Sequence, residues 1–276
     1  MSSLICLLFL LAITSSLFAA GERKLIWSDE FDRDGLPDPA KWSYETGFVR
    51  NNEQQFYTEG RPENCRIEKG MLILEGRKEA YPNPPVKASA SADDPASRPV
   101  AAYTSASIHT HGKMELRYGR VEVRAKLPQG KGVWPAIWTL GANIDSVSWP
   151  RSGEIDIMEF VGHDPGRIHA TLHHSKDGKH ASSGEALEVK RPFDDFHIYA
   201  VDWTPQRMDF FFDDRLWRSF DVAQATEADG NPYHKPHYLI LNLALGGDWG
   251  GAIDDSFLPQ RFLIDYVRVY EPLQEN

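Results

Sequence analysis

Cysteine is nearly absent: the 276-residue chain has two, Cys6 and Cys65. At most one intramolecular disulfide is available, and a zinc ribbon or knuckle has no ligand framework. An excess of basic charge is also missing. Thirty Lys and Arg stand against 40 Asp and Glu, a formal net charge of −10, which argues against a nucleic-acid binder, since such a protein normally needs a basic face. No Gly-rich loop follows a strand and opens a helix, so no nucleotide cofactor is expected. Amphipathic helices are lacking too, the one candidate being the short Val222–Ala228 stretch. What the chain has is a globular balance of 41% hydrophobic residues, 12% aromatics and eight Trp. Its length suits one large domain or two small ones.

Leu4 to Phe18 is an apolar run without charge, followed by Ala19, Ala20 and Gly21 before the first charge at Glu22. The run is too short for a comfortable bilayer span and reads as a secretory signal peptide over residues 1–20, although no Lys or Arg precedes it. The expected product is secreted or periplasmic, with no membrane contact after cleavage. Removal of Cys6 leaves Cys65 alone and no intramolecular disulfide.

The remaining chain reads as strands. In Tyr118 to Pro128, Val121, Val123, Ala125 and Leu127 alternate with Arg120, Glu122, Arg124 and Lys126, the period-two signature of a half-buried strand. Similar runs occupy 71–75, 154–160, 168–174, 197–204, 208–212, 238–245 and 262–270, punctuated by turn pairs such as Asp177-Gly178 and Asp213-Asp214. Many short strands imply an all-β antiparallel sandwich or jelly roll in one domain. The Pro-, Ala- and Ser-rich segment Glu79 to Ala101 reads as a long surface loop.

Chemistry is concentrated in Ser152-Gly153-Glu154-Ile155-Asp156-Ile157-Met158-Glu159-Phe160. In a regular strand Glu154 and Asp156 share a face, and Glu159 points to the other. An unpartnered Glu159 among the apolar residues would cost several kcal/mol. A β-bulge at Ile157 or Met158 resets the alternation and gathers all three carboxylates on one face. The two Glu backbones are then about 13 Å apart at about 3.3 Å per residue. Side chains leaning together can close this to the roughly 5 to 5.5 Å that a retaining glycosidase uses. Three carboxylates crowded on a core strand repel one another, an arrangement tolerated where function needs it. The pattern by itself points to catalysis and leaves a metal site or a structural role open.

This bulged segment resembles the active-site signature of glycoside hydrolase family 16. Other segments resemble the laminarinase branch of that family, in the family's order: Trp27-Ser28-Asp29-Glu30-Phe31, Asn51 to Thr58, Tyr103 to Ala106, Gly130 to Trp138, His169 to His173 and Ile264 to Tyr270. The resemblance spans essentially the whole mature chain. It implies a concanavalin-like β-jelly-roll sandwich of two antiparallel sheets with a concave substrate cleft, formed by a single catalytic domain over residues 22–273.

The resemblance also implies roles. Glu154 matches the nucleophile, Glu159 the general acid/base, and Asp156 the assisting residue that keeps the acid protonated. Trp134 and Trp138 match sugar platforms, whose flat indole faces suit the C–H faces of glucose. Trp149 and Trp249 are expected at the rim, Asn52 and Glu53 at sugar hydroxyls, and His173 at the cleft floor near Glu159. No cofactor serves catalysis. A structural Ca²⁺ is implied at positions matching Glu30, Gly70 and Asp265. The implied activity is endo-hydrolysis of internal β-1,3-glucosidic bonds in laminarin-type β-glucan, with retention, by a monomer. The alternatives are a mixed-linkage β-1,3-1,4-glucanase, another family 16 enzyme acting on a galactan, and a non-catalytic β-glucan-binding protein. Binding proteins of that kind typically lack the Glu pair present here.

Overall fold

The computed structural model describes residues 23–83 and 94–272. The signal segment, Cys6 and the centre of the Glu79–Ala101 stretch lie outside the described residues. Among those described, no helix is long and apolar enough to cross a membrane.

Two sheets form the molecule. One runs in the order Arg215–Asp221, Arg207–Phe212, His197–Trp203, Gly119–Lys126, Gln260–Tyr270, Leu72–Pro82, Val100–Ser105 and Gln55–Tyr57. Leu25–Asp29 and Cys65–Ile67 join it off this path. The other runs Lys179–Glu188, Arg167–Lys176, Glu154–Glu159, Val133–Gly141, His237–Leu245, Ser107–His109 and Ser43–Tyr44. All pairings are antiparallel except that of Gln55–Tyr57 with Val100–Ser105.

The alternation read in the sequence is the packing observed. Along Gly119–Lys126, Val121, Val123 and Ala125 are buried while Arg120, Glu122, Arg124 and Lys126 are only partly so. The apolar set meets Ile155, Ile157 and Met158 of the other sheet in one core with Phe160, Phe210 and Phe262. Val133–Gly141 and His237–Leu245 are buried at every position, because both faces are covered. Such strands read as continuous apolar runs rather than alternating ones. Arg218 crosses between the sheets, donating through Nη1 to the carbonyl of Ala170 and through Nη2 to that of Ser183 at 2.6 Å.

Two expectations change. The segment 79–101 is not all loop: Leu72–Pro82 continues into it, and Val100–Ser105 begins at its end, so the two strands pair with each other. Val222–Ala225 is a single 3-10 turn capped by the Asp221 carboxylate, not a helix. Cys65 is fully buried, and burial pushes its thiol up to about 12, which leaves it unreactive.

The two carboxylates implied for calcium, Glu30 and Asp265, are each paired with a guanidinium group. Both carboxylate oxygens of Glu30 accept from Arg268, at 3.0 and 2.8 Å, and Arg268 holds the Glu30 carboxyl below its usual value. Asp265 accepts from Arg124 at 2.6 Å. A Ca²⁺ ion bound through these two side chains would compete with both guanidinium groups for their oxygens. Chelation with EDTA is therefore expected to leave the melting temperature unchanged; a fall that added Ca²⁺ reverses would restore the ion.

Candidate active site

The three-carboxylate segment lies on Glu154–Glu159, inside the second of the two sheets. On one side Leu140 faces Glu154, Trp138 faces Asp156, Ile137 faces Met158 and Ala136 faces Glu159. Ile157 is thus the extra residue. On the other side His173 faces Glu154, Thr171 faces Asp156 and His169 faces Glu159, with the same one-residue slip. The bulge turns Ile155, Ile157 and Met158 all into the core and puts the three carboxylates together on the opposite face.

Each Glu receives an indole N–H. Trp149 Nε1 donates to Glu154 Oε2 at 2.7 Å, and Trp134 Nε1 donates to Glu159 Oε1 at 3.0 Å. Burial, then the negative charge of Asp156, hold Glu159 well above the ordinary carboxylate range, against the pull of the Trp134 N–H. Asp156, 2% exposed, is raised by burial and by the charge and hydrogen bond of Glu154. The arrangement can therefore hold a proton on Glu159 for delivery across the face it shares with Glu154. Removing the Trp134 donor should move the basic limb of activity upward. For Trp134→Phe we expect the limb of kcat/KM against pH to rise by about one pH unit, a hydrogen bond to a charged group contributing about 1.5–3 kcal/mol. An unmoved limb would show that this bond does not tune the acid.

The implied sugar contacts divide. Trp149 is 45% exposed beside Glu154, so the residue expected at the rim offers the open aromatic face. Trp138 is buried, donates to Asn242 Oδ1 at 2.7 Å, and has the Arg50 guanidinium 4.9 Å from its ring. Its indole is a wall of the site rather than an open platform. Trp134 is likewise buried, edge-on to Trp249 at 5.5 Å, and Trp249 meets His169 at 4.9 Å. These aromatics surround Glu159.

Three contacts are placed elsewhere than expected. His173 lies not by Glu159 but by the other pair, with Nε2 3.2 Å from Asp156 Oδ2 and 4.0 Å from Glu154 Oε1. The register of the two strands places His173 opposite Glu154, and the slip at Ile157 puts His169 rather than Ile168 opposite Glu159. Glu53 is 3% exposed and accepts from Gln55 Nε2 at 2.6 Å and Tyr57 OH at 3.0 Å. It belongs to a buried network running through Asn242 to Trp138, since Asn242 Nδ2 donates to Tyr57 OH at 3.0 Å. Asn52 bonds Asp248 Oδ1 at 2.9 Å from a left-handed backbone conformation, so its amide tethers the turn that carries Trp249. Three participants carry no sequence signal: His180, Asn242 and Tyr233. Tyr233 OH donates to the His173 carbonyl at 3.1 Å from beneath the sheet.

Residues 52–268 match the family model described as "Glycosyl hydrolases family 16". A Beta-glucanase of Rhodothermus marinus is 42% identical over 260 residues, covering 90% of this chain and 85% of the relative. The solved laminarinase from Rhodothermus marinus superposes with a TM-score of 0.78 at 40% identity, over 91% of this chain and 98% of the other. A solved chain described with endo-acting O-glycanases that members of the human gut microbiota express to initiate mucin breakdown gives 0.85 at 40% identity, over 92% of each chain.

Proposed function

This chain belongs to glycosyl hydrolases family 16, and on that premise we propose that it is an endo-acting, retaining β-glucanase cleaving internal β-1,3 bonds of laminarin-type polysaccharide. The observation that carries the reading is the bulged strand: one buried, proton-holding Glu and a second Glu on the same face, each with an indole N–H donor. Glu154 attacks the anomeric carbon as Glu159 protonates the departing oxygen. Glu159 then takes a proton from a water whose oxygen bonds to the anomeric carbon as the ester bond to Glu154 breaks, so the sugar leaves with its original configuration. Trp149 supplies the stacking face, and no cofactor takes part. One catalytic domain over residues 22–273 acts as a monomer outside the cytoplasm after loss of residues 1–20; intact mass of the exported protein and its elution volume on size exclusion test this.

A second reading rests on the TM-score of 0.85 to the O-glycanase chain, above the 0.78 of the laminarinase. In that reading the same carboxylates cut chains of mucin O-glycans. Reducing-end release from laminarin, lichenan, agarose, carrageenan and mucin, measured side by side, separates the two. The proposal expects laminarin to lead; activity confined to mucin or a galactan overturns the substrate and leaves the site chemistry intact.

A further inference from the structure

We propose that the Glu154–Asp156–His173 cluster is also a binding site for a borderline transition-metal ion, Zn²⁺ above all, and that the ion and the saccharide exclude each other. Nothing in glycoside hydrolysis by two carboxylates calls for a metal, and these residues come together for another reason: the register of two neighbouring strands.

Three ligand atoms, one from each residue, lie within 4.8 Å of one another. Bonds of about 2.0–2.2 Å from zinc to nitrogen and oxygen, at tetrahedral angles, put neighbouring ligand atoms about 3.3 Å apart. His173 Nε2 stands 3.2 Å from Asp156 Oδ2 and 4.0 Å from Glu154 Oε1, so little closure is needed. A second observation is independent of these spacings. Asp156 is 2% exposed, yet its Oδ2 has no hydrogen-bond partner. Its one close neighbour is His173 Nε2 at 3.2 Å, an ion-pair contact only when the imidazole is protonated. A buried oxygen without a partner is costly in a polar site, and a cation would satisfy it.

The surroundings orient the cluster. His173 Nδ1 and His180 Nε2 are 2.8 Å apart. When His173 is the donor, its Nε2 lone pair is free toward the carboxylates, the outer-shell arrangement that fixes the tautomer of metal-bound imidazoles. Trp149 occupies Glu154 Oε2, leaving Oε1 on the His173 side. Three protein ligands leave the fourth zinc position open, and one imidazole with two carboxylates prefers ions late in the first transition row to Mg²⁺ or Ca²⁺.

Binding stands on geometry, whereas the inhibitory consequence rests on the glucanase reading. The test is calorimetric titration of the purified full chain with Zn²⁺, repeated with Co²⁺ while following its visible absorption. We expect one ion per chain, a tetrahedral-type cobalt spectrum, at least tenfold weaker binding in both His173→Ala and Asp156→Asn, and unchanged binding in the His109→Ala/His111→Ala control. Circular dichroism checks the fold of each variant, and Asp156→Asn, nearly isosteric, serves if His173→Ala does not fold. No saturable uptake at millimolar Zn²⁺, or equal uptake in the variant and the parent, overturns the site. If the site holds, Zn²⁺ should raise the apparent KM for laminarin with kcat unchanged, and Mg²⁺ should not; inhibition that laminarin does not relieve removes the exclusion while leaving the binding result standing.

Discussion

Replacing Glu154 by Ala is expected to lower kcat/KM on laminarin by on the order of ten-thousandfold, about 5.5 kcal/mol of transition-state stabilisation. The loss should occur without unfolding, because the side chain lies on the open face of its strand while Ile155, Ile157 and Met158 hold the other face in the core. The variant should also respond to azide. With the carboxylate gone, a small anion can enter the space and attack the anomeric carbon, forming a C–N bond as the C–O bond breaks, with Glu159 still protonating the departing oxygen. One displacement replaces two, so the glycosyl azide carries inverted configuration. Restored turnover with that product, identified by NMR, assigns Glu154 as nucleophile; a variant with wild-type hydrolysis removes it from the mechanism.

Glu159→Gln separates the proton-transfer role from the nucleophilic one. Loss of general acid catalysis costs about 10²–10⁴-fold where the leaving oxygen needs a proton, as it does in a polysaccharide. A dinitrophenyl β-glycoside of a laminari-oligosaccharide has a leaving group that departs unaided. We therefore expect the variant to release dinitrophenolate in a burst and then stall, since the amide that replaces the carboxylate does not activate water for deglycosylation. The basic limb of the pH profile should vanish as well, because that limb reports the raised pKa of Glu159. An undiminished limb would place the titrating acid elsewhere.

How much of this was legible in the sequence follows from which residues are set locally. The strand periods were readable because apolar alternation is a one-dimensional record of a two-faced sheet, as Val121 to Lys126 illustrates. The bulge was readable for a related reason: Glu159 breaks phase with Glu154 and Asp156, and a buried lone carboxylate is too costly to be the answer. Partners across strands were not readable. Whether His173 meets Glu154 or Glu159 depends on the register between the two strands, which the sequence of Arg167–Lys176 does not encode. His180 sits on Lys179–Glu188, a polar strand without a distinguishing pattern, and enters the site only because that strand borders the one bearing His173. Glu53 was expected at a sugar hydroxyl, yet it bonds Gln55 and Tyr57, and Tyr57 in turn bonds Asn242. The Trp roles inverted by burial: Trp149, flanked by Pro150, is the exposed indole, whereas Trp138 lies beneath the Arg50 guanidinium.

The central claim is that two Glu on one bulged strand cleave β-1,3-glucan by double displacement. Proton NMR of a laminari-oligosaccharide digest in its first minutes, before mutarotation, tests it most directly. The account predicts that the newly formed reducing ends appear first as the β-anomer and drift toward equilibrium; first appearance as the α-anomer would mean inversion through a single displacement and would contradict it.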